Sequence, residues 1–297
     1  MADTNERDRP DWLERALAVE AEQSSVEVDG CDINVLAWGE RGLPGIVLVH
    51  GGAAHARWWA PIAPLIGEYR VVALDLSGHG DSGRRPEYRV DLWTEEVLAA
   101  ADFSGASGAP VVVGHSMGGF VAVATAVAGG ERVAGTIVLD SPMVEDDPEV
   151  EAARIGAAFG VPKTYPSLDA AVARFRTVPA QDHYDPHILD YVARHSLRQV
   201  DDGWTWKFDP GLFRAISRTA AAEQLPRITS RVALVRSEYG LVTPEIGQII
   251  YDNLGRVAPV VEIPLAGHHM MLDQPLILLT ALRALLADWE HSVPLHR

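Results

Sequence analysis

The chain has 297 residues, of which 47% are hydrophobic and 22% charged, enough apolar material for a sizeable core and no polar repetition of the kind that keeps a chain unfolded. Its 41 acidic against 25 basic side chains give a formal charge of -16, which repels phosphate backbones and anionic membrane surfaces and so argues against nucleic acid and membrane as partners. The lone cysteine, Cys31, has no internal disulfide partner, no 18 apolar residues run together, and the mixed-charge start lacks the apolar core of a secretory leader; a cytoplasmic protein is expected. Nothing in the composition speaks to oligomeric state.

Along the chain, short β-branched runs alternate with longer helical stretches. The runs fall at 31–38, 45–51, 69–76, 109–116, 135–141, 231–237 and 259–264. Continuous apolar strands of this kind are buried on both faces, as in a mainly parallel sheet covered by helices. The alternation breaks between about Met143 and Pro226, where 150–159, 168–176 and 187–197 carry helical periodicity and no buried strand is evident. That break divides the chain into an N-terminal extension (1–22), an α/β core (23–142 and 227–297) and a helical insertion (143–226). Trp204 and Trp206 fall in a loop or hairpin within the insertion, where they staple it to the core. A Thr243/Pro244 cap signal starts one late helix, and a last amphipathic helix runs from about Gln274 to Trp289.

The strongest chemical signal is Gly114-His115-Ser116-Met117-Gly118-Gly119, set between the strand 109–113 and a helix of small residues. A serine at so sharp a strand-to-helix turn needs glycine neighbours, and the strained turn exposes its hydroxyl. The N–H of Met117, at the helix start, is placed to meet a developing oxyanion. A second donor is expected from the loop His50-Gly51-Gly52-Ala53 after the 45–49 run, with Gly52 preferred and Ala53 as the alternative; His50 reads as structural. Serine at its ordinary pKa is a weak nucleophile and requires a histidine base. His268, immediately after the Ala266-Gly267 turn, is favoured over His269.

Together these pieces resemble the α/β-hydrolase family, and the resemblance covers nearly the whole chain. It implies an α/β fold with a mostly parallel sheet of the eight-stranded type, flanked by helices and carrying a helical cap insertion. The stretch Asp75 to Ser82 is similar to the family's DxxGxGxS turn, which there supports the active-site loops. One feature departs from the pattern. The family's common acid is an Asp in the loop after the strand that follows the cap, but here Arg236 to Leu241 contains none. Two carboxylates stand in the order Ser, acid, His: Asp140, at a strand end from which some relatives supply the acid, and Glu238, in the usual loop. Asp140 ranks ahead of Glu238, and Asp273 is a distant third, read as a helix cap.

The expected chemistry is two-step acyl transfer on a carboxylic ester or related acyl bond, with Ser116, His268 and Asp140 catalytic, and no cofactor or metal. The expected partner is a small to medium, largely apolar substrate, in a pocket built by Trp58, Trp59 and His115 under the insertion. Lactone, amide, C–C bond and peracid chemistry use the same constellation and stay open, as does a non-catalytic ligand-binding protein on this fold. Serine at the elbow argues against dehalogenase or epoxide hydrolase chemistry, for which the family uses an Asp nucleophile.

Overall fold

A computed structural model of the chain describes residues 9–145, 147, 149 and 163–292. Its centre is an eight-stranded sheet in the order β1-β2-β4-β3-β5-β6-β9-β10. The strands are β1 (Glu22–Val28), β2 (Cys31–Trp38), β3 (Pro44–Val49), β4 (Arg70–Leu74), β5 (Ser107–His115), β6 (Gly135–Leu139), β9 (Arg231–Tyr239) and β10 (Val260–Gly267). β1 and β2 are antiparallel to their neighbours, and from β4 to β10 the pairs are parallel.

The apolar runs of β2, β3, β4, β5, β6 and β9 are continuous because each of these strands feeds two cores. Ile46 and Leu48 of β3 enter one cluster, while Val47 and Val49 enter the other; Val71 and Ala73 of β4 separate from Val72 and Leu74 in the same way. Side chains alternate across a strand with period two, so a sheet covered on both faces selects apolar residues at every position. Helices α2 (Val90–Phe103) and α3 (Met117–Gly129) supply the first face. Helices α1 (Asp11–Ala18) and α9 (Pro275–His291) supply the second. Leu13 of α1 is wholly buried there, with Trp12 and Leu17 packed beside the same cluster, so the described part of the N-terminal segment is packed onto the core. The edge strand β1 was not among the expected strands: EQSSVEV alternates exposed and half-buried positions, which an apolar-run criterion misses.

Between β6 and β9, the described residues form α4 (Leu168–Val172), α5 (Pro186–His195), α6 (Arg218–Ala222) and a hairpin of β7 (Leu197–Val200) with β8 (Gly203–Trp206). None of these joins the main sheet. The helical pattern read at 150–159 lies outside the described residues. Trp204 and Trp206 sit on β8 and pack in a small separate cluster with Ala171, Val172, Ala193 and Leu197. Reciprocal backbone bonds of 2.8 Å between Tyr165 and Trp204 tie the segment before α4 to this hairpin. They hold this layer together internally, and Phe175 carries its contact to Trp58 beneath, with rings 6.5 Å apart. The remaining α-helices are α7 (Pro244–Asn253), capped by the Thr243 side chain as its sequence signal indicates, and the short α8 (Met270–Asp273). Among the described residues, no helix is long and apolar enough to cross a membrane.

Because Leu48 is fully buried in the centre of β3, truncation to Ala removes packing that the rigid sheet does not refill. Leu48→Ala is expected to lower the free energy of urea unfolding by about 2–5 kcal/mol, against a change within about 0.5 kcal/mol for Ser25→Thr on exposed β1.

Candidate active site

Strand β5 ends at His115, and α3 begins at Met117. The single residue between them, Ser116, has φ 55° and ψ -120°, a left-handed conformation that costs a non-glycine residue on the order of 1–3 kcal/mol. Close packing holds it there. A Cβ on Gly114 would overlap the Gly118 carbonyl, and one on Gly118 would overlap the carbonyls of Val49 and His50. The glycines therefore let α3 press directly onto β3 and β5, and the Ser116 N–H donates to Leu139 O at 3.0 Å.

β6 lies beside β5 and ends one residue before Asp140, itself at φ 46° and fully buried. The Asp140 carboxylate accepts from the amides of Leu241 (2.8 Å), Val242 (3.1 Å) and Ser237 (3.3 Å), and Oδ2 lies 2.7 Å from His268 Nδ1. Burial alone pushes its pKa up. The hydrogen bond and charge of His268, together with the Leu241 and Val242 amides, outweigh that and hold the carboxyl below its ordinary range. An ionised Asp140 only accepts, so His268 Nδ1 carries the proton and donates it, and Nε2 presents its lone pair to Ser116 Oγ, 3.0 Å away.

This explains the absence of an Asp from 236–241. The loop after β9 wraps the Asp140 carboxylate with its amides, and Gly240 comes so near that a Cβ would overlap the carboxylate oxygens. Glu238 in that loop is exposed and accepts the Leu265 N–H at 2.7 Å, so the structure brings Asp140, and not Glu238, to His268. Asp273 accepts the Gly267 N–H (2.6 Å) and the Gln181 amide (2.9 Å), holding the histidine loop from outside. Burial raises its pKa to about 6.

Two further histidines crowd the base. His115 Nε2 donates to His268 O at 2.9 Å, and His269 Nε2 to Pro179 O at 3.2 Å. Burial first, then the neighbouring His268, pushes the pKa of His115 down to about 3 and that of His269 well below its ordinary value, so both are neutral. His50 braces the loop that follows β3: its Nδ1–H donates to Gly51 O (2.8 Å), and its Nε2 accepts the Leu76 N–H (3.0 Å). Asp75, first residue of the DxxGxGxS-like turn, accepts the amides of Ala56 (2.6 Å) and Asp81 (2.8 Å) and the Asn34 side chain (2.9 Å). That turn is thus tied to the loop carrying Gly51 and Gly52.

A cavity of about 210 Å³ opens over Ser116. Gly52, Met117, Trp58 and His115 line it as expected residues, and Ala53 and Trp59 do not. Ala53 turns through a left-handed φ of 57° and packs against the core instead. Trp59 is a correction: it is fully buried among Ile46, Ile62 and Leu278. Successive residues of the 3₁₀ turn Ala56–Trp59 point about 120° apart, so Trp58 reaches the cavity while Trp59 enters the core. Phe120, Pro142, Val178, Phe213, Ile216 and Leu241 complete an apolar wall. Their positions across five chain segments leave no local sequence signal. Gln181 was also not singled out; its side chain accepts the His269 N–H at 2.9 Å and donates to Asp273.

The comparisons with known proteins agree with this architecture. Residues 46–281 match the family described as "Alpha/beta hydrolase family". The chain belongs to that family, and it is a hydrolase. It is 28% identical over 287 residues to the esterase Rv0045c of Mycobacterium tuberculosis, covering 91% of this chain and 94% of that protein. It is 31% identical over 209 residues to the lipase LipV of the same organism, covering 69% and 78%. Among solved structures, that of Rv0045c aligns with a TM-score of 0.73 at 23% identity, covering 93% of this chain and 95% of that one. An E-2-(acetamidomethylene)succinate hydrolase aligns with a TM-score of 0.76 at 20% identity, covering 92% and 100%.

Two outcomes follow from this geometry. Asp140→Asn places an amide donor against His268 Nδ1 and drives the imidazole into the wrong tautomer, so the turnover number should fall by about 10⁴, whereas Glu238→Gln should stay within about tenfold; steady-state kinetics on one ester substrate measures both. Asp273, with its folded pKa raised to about 6 against about 3.9 unfolded, keeps its proton longer in the folded state. Its contribution to stability is therefore full below about pH 4 and declines as pH rises toward 6. Urea unfolding of wild type and Asp273→Asn between pH 4 and 8 should show the difference between them changing in that window and level above it.

Proposed function

We propose that the chain is a carboxylic ester hydrolase that works through an acyl-enzyme on Ser116. The observation that carries this reading is the unbroken line of hydrogen-bonding contacts from Asp140 Oδ2 through His268 to Ser116 Oγ, at 2.7 and 3.0 Å. Ser116 Oγ attacks the ester carbonyl as His268 Nε2 takes its proton, and ionised Asp140 stabilises the imidazolium that forms. The N–H groups of Met117 and Gly52 receive the oxyanion. His268 then protonates the departing alcohol, and a water activated by the same nitrogen releases the acid and restores Ser116.

The apolar cavity wall supports a small to medium, largely apolar substrate, with Trp58, Phe120 and Phe213 contacting its hydrocarbon part. The esterase and lipase names of the two mycobacterial relatives support ester rather than amide or C–C bond cleavage. A carboxylate hydrogen-bonded to His268 supports turnover over the non-catalytic binder that this fold also allows.

The test is release of p-nitrophenol from short-chain p-nitrophenyl esters by wild type and Ser116→Ala. Wild type is expected to turn over, with a fall of about 10⁴ or more in the variant. Equal rates in the two proteins, or failure of a fluorophosphonate to label Ser116, would overturn the reading.

A further inference from the structure

A second cavity, of about 340 Å³, lies between the end of α1, β2, the 3₁₀ turn Ala56–Trp59 and α5. It shares no lining residue with the cavity over Ser116. Successive residues of the turn serve the two cavities: Trp58 lines the first and Arg57 the second. Trp38, Tyr191 and His195 line the second as well. Ester hydrolysis at Ser116 uses none of these groups.

Arg57 is half-buried there; among the described residues no carboxylate stands within ion-pair distance of it, and its guanidinium makes no hydrogen bond. Arg70, Arg85, Arg194 and Arg236 of the same acidic chain each meet a carboxylate. Lys207, whose charge acts with that of Arg57 on His195, is answered by Asp81 at 2.6 Å. Glu20, the one carboxylate that lines the cavity, is exposed to screening solvent and forms no ion pair among the described residues. One cation is thus left to be answered, and its fork of N–H donors matches the two oxygens of a carboxylate.

His195 supplies the complementary group. Its Nδ1–H donates to Tyr191 O at 2.8 Å, and its ring lies against that of Tyr191 with centroids 4.2 Å apart. Burial pushes its pKa below the ordinary value, and the charges of Arg57 and Lys207 add to the shift, so the ring is neutral. Nε2 therefore presents a lone pair, which has no partner among the described residues and takes a hydrogen from a hydroxyl. We propose that this cavity binds a small hydroxycarboxylate, its carboxylate on Arg57 and its hydroxyl on His195 Nε2. A phosphate monoester presents the same oxygens to the fork, but its second negative charge finds no second unanswered cation. The binding is reversible and needs neither Ser116 nor ester cleavage.

The test is calorimetric titration of sodium 3-hydroxybutyrate, butyrate and phosphate into the intact wild-type protein, Arg57→Met and His195→Phe. Expected are one 3-hydroxybutyrate per chain and binding on the order of tenfold or more weaker in Arg57→Met, which loses a charge-assisted pair of hydrogen bonds. Butyrate should bind several-fold more weakly than 3-hydroxybutyrate to wild type and equally to it in His195→Phe, where the acceptor is gone. If Arg57→Met does not fold by circular dichroism, Val19→Trp, which fills the cavity from an exposed lining position, serves the same comparison. Binding that the Arg57 or Val19 variant leaves unchanged would assign the carboxylate to the cavity over Ser116 and overturn the proposal. No binding to wild type, butyrate binding as tightly as 3-hydroxybutyrate, or phosphate binding more tightly than either would overturn it too. Cleavage of p-nitrophenyl esters does not enter the comparison, so this site and the ester-hydrolase reading fail separately.

Discussion

A carboxylate placed where no water reaches it must have its charge answered by the protein, and around Asp140 this requirement organises the carboxyl edge of the sheet. Its side chain is fully buried, and its oxygens meet three backbone amides and one imidazole. A buried charge with fewer partners would take up a proton or destabilise the fold. The adjacency of β5, β6, β9 and β10 supplies those partners in order: Ser116 from the end of β5, Asp140 from β6, the amide-bearing loop from β9 and His268 from β10. Parallel strands bring their carboxyl ends to one edge, so residues that are distant in the chain meet there without any element having to bend.

Around this line, conformation is set by packing rather than by local preference. Ser116 and Asp140 both stand at positive φ, and the glycines at 114, 118 and 240 permit the close approaches that hold them. The histidine loop is held from above as well. Gln181 and Asp185, from the segment between β6 and β9, bond to residues 269–273, with Asp185 N–H donating to Leu272 O at 2.7 Å, and the Tyr184 hydroxyl accepts the Gln181 N–H. The segment between β6 and β9 and the loop that carries His268 are therefore tied together by hydrogen bonds.

The parts of the fold legible in the sequence are those whose signal is local. Six buried strands announce themselves as apolar runs because both faces are covered, the edge strand β10 does so with one covered face, and Thr243 announces a helix start because a cap acts within one turn. β1 is silent because an edge strand with an exposed face needs few apolar residues. The β7–β8 segment reads from sequence as either a loop or a hairpin because its tryptophans pack within a small satellite cluster. Trp58 and Trp59 are chemically identical neighbours, and the turn beneath them, which no composition reveals, sends one to the cavity and the other to the core.

By itself the sequence determined the elbow around Ser116, the glycine-rich loop after β3, the His268 turn and the order in which they follow one another, because each depends on residues within a few positions of it. Only the tertiary structure decided which carboxylate meets His268, which apolar residues wall the cavity, and that three histidines converge. Those are distances between segments up to 153 residues apart, and they are set by strand order and packing, which no single stretch of chain encodes.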